Sequence, residues 1–567
     1  MSQDATARKP VASDFIREVV ERDNEKGTYG GRVQTRFPPE PNGYLHIGHA
    51  KAIVQDFSIA EAFDGICNVR FDDTNPDTEE TEFVDSILQD IEWLGYHPEN
   101  VYYASDYFEN LYEWALELIR RGLAYVDDQS GETISEQRGG FGKPGIESPF
   151  RNRPVEESLD LFARMRAGEF ADGERCLRAK IDMQSDNMWL RDPVMYRIRR
   201  GHHHRTGDAW CIYPTYDWAH GQSDAIEGVT HSICTLEFDS HRPLYNWFLE
   251  NLPLPSDQPK QLEFARLEFT HIVTSKRRLK KLVADGVVDG WDDARMPTLS
   301  GLRRRGYPAS AIRTFCTEIG TARTNSRHAI EALEAVVRRE LNAEAQRKMV
   351  VLRPLKLVLT NWPVDAEGQP VVEYFEVANN PERPEDGTRQ VAFSGELVIE
   401  SEDFAEVPPP KFFRLSPGRE VRLRGAYLVT ATDVVKDEDG NVVQVNATYD
   451  PETRGGDAPD GRKVKSTMHW VSVPHAVPVE AALYERLFTS PVPGERTGEP
   501  LDDLNPNSRE LLPNALGEAS IAEVAPGQVV QFERLGYFAK DPDRPGFFHR
   551  TVGLKDEWAA IQKKQGK

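Results

Sequence analysis

The chain reads as a multidomain protein of α/β plus all-β class: a parallel-sheet domain with an insertion, a helical subdomain, and two C-terminal antiparallel β-barrels. Three observations predict this. The 567 residues exceed what one hydrophobic core organises. Strand and helix patterns alternate along the first hundred residues, the rhythm of a parallel sheet with crossover helices. From Val350 onward Val, Thr, Tyr and Pro accumulate around hairpin signals.

In chain order, Phe15, Ile16, Val19 and Val20 keep helical spacing behind Ser13 or Asp14 as cap. Residues 32–37 read as a strand, Pro38-Pro39-Glu40-Pro41-Asn42-Gly43 as a turn, and Ile53, Val54, Phe57 and Ala60 as one helix face. A second strand, residues 66–71, precedes a helix on which Phe83, Ile87, Ile91 and Leu94 align. A further helix is expected over residues 105–123, with Leu111, Ala115, Leu118 and Ile119 inward and Gly122 at its end. Residues 127–211, rich in Arg, Gly and Pro, read as the insertion. The pattern from Leu279 to Leu341 is helical, and Asp439-Gly440 between Val434-Val435 and the alternating Val443, Val445, Ala447, Tyr449 marks a hairpin.

Composition narrows the setting. No run of about 18 apolar residues is present and the polar start, residues 1–8, lacks an export-signal layout, so a cytoplasmic protein without membrane partner is expected. Five scattered cysteines, without a C-x-x-C pair, argue for reduced thiols and no structural metal. The net charge of −23 disfavours non-specific binding of polyanions, yet Lys276-Arg277-Arg278, Lys280-Lys281 and Arg303-Arg304-Arg305 concentrate cations in one region.

Two short motifs carry chemistry. His46-Ile47-Gly48-His49 stands where a helix opens after the first strand and turn, so unpaired N–H groups and two imidazoles face one place, and Gly48 lets a ligand approach the backbone. Thr274-Ser275-Lys276 offers an ammonium of the kind that a reaction at a phosphate requires. A third, Gly201-His202-His203-His204, invites a metal, but no Cys or carboxylate stands at ligand spacing in the sequence, and no metal site is expected.

Together the first two resemble the paired ATP-site signatures of class I aminoacyl-tRNA synthetases. Phe37-Pro-Pro-Glu-Pro-Asn-Gly-Tyr-Leu-His-Ile-Gly-His-Ala-Lys51 is similar to the form in glutaminyl-tRNA synthetases, as are Arg70-Phe-Asp-Asp-Thr-Asn-Pro76, Tyr213-Pro-Thr-Tyr-Asp217, the stretch from Asp224 to Phe238, and Gly301-Leu-Arg-Arg-Arg-Gly-Tyr307. The resemblance runs from Phe15 to Trp558. It implies a Rossmann-like catalytic domain, ATP with Mg2+, L-glutamine and tRNA(Gln) as partners, and a monomer.

Residue by residue, the resemblance implies that Glu40, Pro41, Asn42, His46, Gly48, His49 and Lys51 frame ATP, with Thr235, Arg266, Leu267 and the loop Thr274, Ser275, Lys276 closing over it. His46, His49 and Lys276 would be catalytic. Asp72 would hold the substrate ammonium and Tyr216 its side-chain amide, while Arg347, Arg414, Arg422, Gln531 and Arg534 would read the anticodon. Thr274 departs from the usual Met, and Ser240 from the acid that reads an early acceptor base pair, with Asp239 offered as substitute.

Glutamyl relatives place an Arg where this chain has Cys234, because a buried side-chain carboxylate needs a cation. Cys234 therefore favours the neutral amide over the alternative, a glutamyl-tRNA synthetase of the β-barrel type. The expected domains are residues 1–106 and 212–270 (catalytic halves), 107–211 (acceptor-stem insertion), 271–346 (loop and helices), 347–395 with 475–567 (proximal barrel), and 396–474 (distal barrel).

Overall fold

The computed structural model describes residues 14–77, 80–140, 142–254 and 257–555. Ser13 as a cap, Trp558 and the Lys- and Gln-rich ending lie outside the described residues. The chain forms two compact units, one of residues 1–268 with 313–327, the other of residues 269–312 with 328–567.

In the first unit, Asp14 caps the helix Phe15–Glu25 by accepting from the N–H groups of Ile16 and Arg17 at 2.9 and 3.1 Å. Strand Gln34–Phe37 pairs in parallel with Ile66–Phe71, which pairs in parallel with Val101–Tyr103. Parallel neighbours need crossovers, supplied by the helices Ile47–Ala62 and Thr81–Trp93. On the other side of Gln34–Phe37 stand the parallel strands His231–Thr235 and Lys260–Phe264. There the Thr230 N–H donates to the Gln34 carbonyl at 2.9 Å. The chain thus leaves the Gln34–Phe37 strand in one lateral direction and resumes on its other flank. That reversal opens a crevice at the carboxyl ends of the strands, where such sheets bind ligands.

The helix expected from residue 105 begins later, at Phe108–Arg120, behind a short 3-10 turn, Ala104–Tyr107. The reason is a tertiary contact: the Ser105 N–H and Oγ are both given to the Asp73 carboxylate, at 2.8 and 2.7 Å. The insertion is a four-stranded antiparallel sheet, Ala124–Asp127, Cys176–Ala179, Val194–Ile198 and Ile212–Pro214, joined in that order. It shares one core with the Phe108–Arg120 helix through Phe108, Leu118, Phe162, Leu177 and Tyr196.

The second unit contains the helices Lys276–Ala284, Leu299–Arg304 and Ile330–Glu344 and two seven-stranded sheets. The predicted hairpin is present as Leu428–Lys436 against Val442–Tyr449. The sheets are antiparallel-rich, as expected, and include parallel pairs, Pro354–Leu359 with Val442–Tyr449 and Val477–Tyr484 with Phe547–Gly553. One expectation is corrected. The sheets divide the chain elsewhere than at 395: Pro354–Leu359 pairs with Glu396–Glu400 and fills the core around Phe393, Tyr427 and Trp470, so the sheet reaching to residue 472 starts near 354. Cross-strand pairing over long separations decides this, and no local pattern reports it. Among the described residues no helix is long and apolar enough to cross a membrane.

Candidate active site

The helix Ile47–Ala62 begins at the switch crevice with an unusual cap. His46 is the N-cap residue, its Nδ1 accepting the Gly48 N–H at 3.1 Å, and His49 Nδ1 accepts the His46 N–H at 3.1 Å. The rings lie 3.8 Å apart. A neutral imidazole has one acceptor and one donor nitrogen, so both caps place the proton on Nε2. Each ring therefore carries its proton on Nε2, at the positive end of the helix dipole. A Cβ on Gly48 would come within 2.9 Å of His46 Cε1 and 3.4 Å of the Leu267 carbonyl, so a side chain there would press on the capping His46 ring, and Leu267 borders the same place.

Around this turn Asn42 donates to Glu40 at 2.6 Å, Pro41 is buried, and Thr235 ends the neighbouring strand. Arg266 is half exposed and pairs with Glu237 and Glu268. Lys51 differs from expectation: it is 4% exposed and its ammonium donates to the Cys316 carbonyl at 2.8 Å, so packing claims it and it does not face the crevice. In the second unit Ser275 is the N-cap of Lys276–Ala284, whose Leu279 and Leu282 pack with Val273 and Met296. That leaves Lys276 in the first turn, with Arg277 and Lys280 exposed.

A buried charge cluster lies behind the crevice. The Arg36 guanidinium meets Asp224 through Nε at 2.9 Å and Nη2 at 3.1 Å, and also Ser232, His220 and the Ile233 carbonyl. Arg70 donates to Asp72 Oδ1 at 2.8 Å and Asp224 Oδ1 at 2.6 Å, and lies 3.4 Å from Glu227. Both guanidinia are committed. Asp72 is 5% exposed, and among the described residues its second oxygen, Oδ2, has no hydrogen-bond partner, His220 Nδ1 standing 3.8 Å away. Although burial opposes its charge, Arg70 keeps its pKa below the usual range. A buried, ionised carboxylate with an open oxygen is a receptor for a cation.

Tyr216 stacks on His220 at 4.7 Å and leans on Phe238 at 5.1 Å. Its phenol is pushed well up, first by burial and then electrostatically by Asp72 and Cys234. Cys234 is 8% exposed and neutral, its thiol raised by burial.

The model of tRNA synthetases class I (E and Q), catalytic domain, matches residues 32–343, and two anticodon-binding domain models of the same class match residues 345–450 and 467–541. The chain belongs to this family. A glutamine–tRNA ligase of Bradyrhizobium diazoefficiens is 57% identical over 97% of this chain and 98% of that one. Those of Nitrobacter winogradskyi and Rhodopirellula baltica are 56% and 54% identical, each over 99% of this chain and over 99% and 93% of their own.

In this class I synthetase the five residues expected to read the anticodon all lie in the second unit and fall into two contact groups and one separate residue. Arg414 and Arg534 converge on the Asp403 carboxylate, Arg534 through two bonds at 2.6 and 2.9 Å and Arg414 at 3.3 Å. Arg347 and Gln531 are cross-strand partners, but Arg347 is 6% exposed and donates to the Ala345 and Asn342 carbonyls, a structural commitment. Arg422 stands apart, bonded to the Gly456 carbonyl. Asp239 is occupied by Arg242 at 3.0 Å. Sequence reasoning assigned no role to Arg36, His220, Asp224, Glu227 or Asp403. Charged residues inside the strands Gln34–Phe37 and Ile66–Phe71, Arg36 and Arg70, are the signal that was available.

Proposed function

We propose that this enzyme joins L-glutamine to tRNA(Gln) with ATP, through a glutaminyl-adenylate. The observation that carries this reading is the open, buried Oδ2 of Asp72, with the neutral Tyr216 and Cys234 as the side chains assigned to the amide. The carboxylate takes the α-ammonium. The side-chain amide then meets a phenol and a thiol, while the nearby guanidinia of Arg36 and Arg70 are spent on Asp224, Asp72 and His220. A glutamate carboxylate in that place would be buried without a cation, a penalty of several kcal/mol that separates the two substrates by about a thousandfold. The names of the full-length relatives agree with the amide.

The capped histidines and Asn42 hold the triphosphate, with Mg2+ accompanying it, and the glutamine carboxylate attacks the α-phosphate, expelling pyrophosphate. The terminal adenosine 2′-hydroxyl of the tRNA then attacks the adenylate carbonyl, the acyl–phosphate bond breaks to release AMP, and the hydroxyl proton leaves with the AMP phosphate. No protein base is assigned: orientation, the Nε2–H donors and the Lys276 charge stabilise the phosphoryl oxygens. The insertion takes the acceptor end and the sheets around Asp403 the anticodon. The reading includes a cytoplasmic monomer.

Charging of purified tRNA with glutamine and with glutamate, side by side, tests the proposal. Glutamine is expected to be preferred by at least about a hundredfold; equal or better use of glutamate overturns it.

A further inference from the structure

Residues 199–207 of the insertion fold back as a tight hairpin, the His203 and Gly207 backbones exchanging bonds of 3.0 and 2.9 Å. The hairpin seats on the loop after strand Ile66–Phe71. His203, fully buried, accepts the Arg205 and Thr206 N–H groups on Nδ1 at 3.2 and 3.1 Å, which puts its proton on Nε2, 2.8 Å from the Asp73 carbonyl. His204 Nε2 lies 3.0 Å from Asp73 Oδ2, the oxygen that also accepts from Ser105 Oγ. Arg205 adds bonds to Ser105 and Asp106, and Arg199 holds Asp77 at 2.6 Å. One hairpin thus grips the loop at several points. Asp72, the carboxylate with the open oxygen, is the residue next to Asp73, and its own N–H is pinned to the Pro39 carbonyl at 3.0 Å.

The ligand atoms of Asp73, His203 and His204 lie within 4.8 Å of one another, a spacing that would admit a metal ion. The hydrogen bonds speak against one: both His203 nitrogens are used, one accepting and one donating, so no lone pair is turned toward a cation.

We propose that His203 and His204 are positioning residues for amino-acid binding. Through Asp73 they set the backbone from which the Asp72 carboxylate meets the substrate ammonium, and they tie that carboxylate to the insertion. The proposal rests on the reading that Asp72 receives the ammonium. A carboxylate displaced by about 1 Å loses much of its grip on a ligand held in one orientation.

Steady-state charging by the full-length enzyme with purified tRNA tests it, using His204→Ala, His204→Gln and Asp72→Asn. His204→Ala is expected to raise the glutamine KM about tenfold with the ATP and tRNA KM values within about twofold, while His204→Gln, which keeps a donor toward Asp73, restores most of the loss. A glutamine KM unchanged in His204→Ala but raised in Asp72→Asn overturns the proposal. An unchanged KM in Asp72→Asn overturns instead the reading on which it rests. Should His204→Ala fail to fold, Ser105→Ala removes one donor from the same carboxylate and is expected to raise the glutamine KM about threefold, an unchanged value again counting against the proposal. A stoichiometric metal in the purified enzyme, lost with His204, also overturns it.

Discussion

His49 Nδ1 accepts the backbone N–H of His46 at 3.1 Å, so the second histidine of the motif caps the helix that the first one begins. Each imidazole therefore gives its acceptor nitrogen to the backbone, and under the proposed function its donor nitrogen serves the substrate. The two can be separated by substitution. Asn is among the best N-cap residues, so His46→Asn is expected to keep the melting temperature within a few degrees while slowing single-turnover adenylate formation about a hundredfold. A variant that melts normally and reacts at the parent rate removes His46 from the chemistry.

Lys276 stands in the first turn of its helix. Lys276→Ala is expected to slow adenylate formation by about 100- to 1,000-fold with little change in glutamine affinity, because its charge matters when negative charge grows on the phosphoryl group. Rapid-quench measurement with saturating tRNA decides it: a parent-like rate excludes the lysine from the transition state.

Glu227 has no exposed side-chain surface and a pKa pushed up to about 7, burial being the first cause, which the attraction of Arg70 only partly offsets. Two guanidinia, Arg36 and Arg70, face three carboxylates, Asp72, Asp224 and Glu227, and the least well paired of the three keeps its proton longest. Since the folded-state value lies above the ordinary 4.5, the folded protein holds an extra proton between about pH 4.5 and 7. Stability is expected to fall as pH rises through that window and then level off, by on the order of 2–3 kcal/mol. In Glu227→Gln that fall is absent, so the variant gains on the parent between pH 5 and pH 8 in denaturant titrations. Parallel curves for the two proteins refute the assignment.

Asp403 is 2% exposed at its side chain and holds both Arg414 and Arg534. Asp403→Asn is expected to weaken tRNA(Gln) binding about tenfold while leaving ATP and glutamine KM values unchanged, because two guanidinia lose the carboxylate that aims them. Filter binding at fixed salt measures it, and unaltered tRNA affinity detaches this pair from RNA recognition.

The parts of the enzyme that were legible from the chain are those written within a few residues. Helical spacing located Ile47–Ala62 and Thr81–Trp93, β-propensity located Ile66–Phe71, and Asp439-Gly440 located its hairpin. The His46 to His49 motif needed no tertiary information to be placed at a helix start, because a cap acts on its own turn.

Partners chosen across the fold were not legible. Arg70 meets Asp224 from 154 positions away and His204 meets Asp73 from 131, and nothing in either local sequence names the other. The tertiary structure also decided where cations are spent: Lys51 and Arg347 give their donors to backbone carbonyls in the interior, and Arg534 gives its donors to Asp403. Sequence by itself determined which residue types stand at the start of each element. Only packing decided whose hydrogen bonds were already satisfied, because a buried polar group must find a partner in three dimensions and takes whichever one the fold brings within about 3 Å.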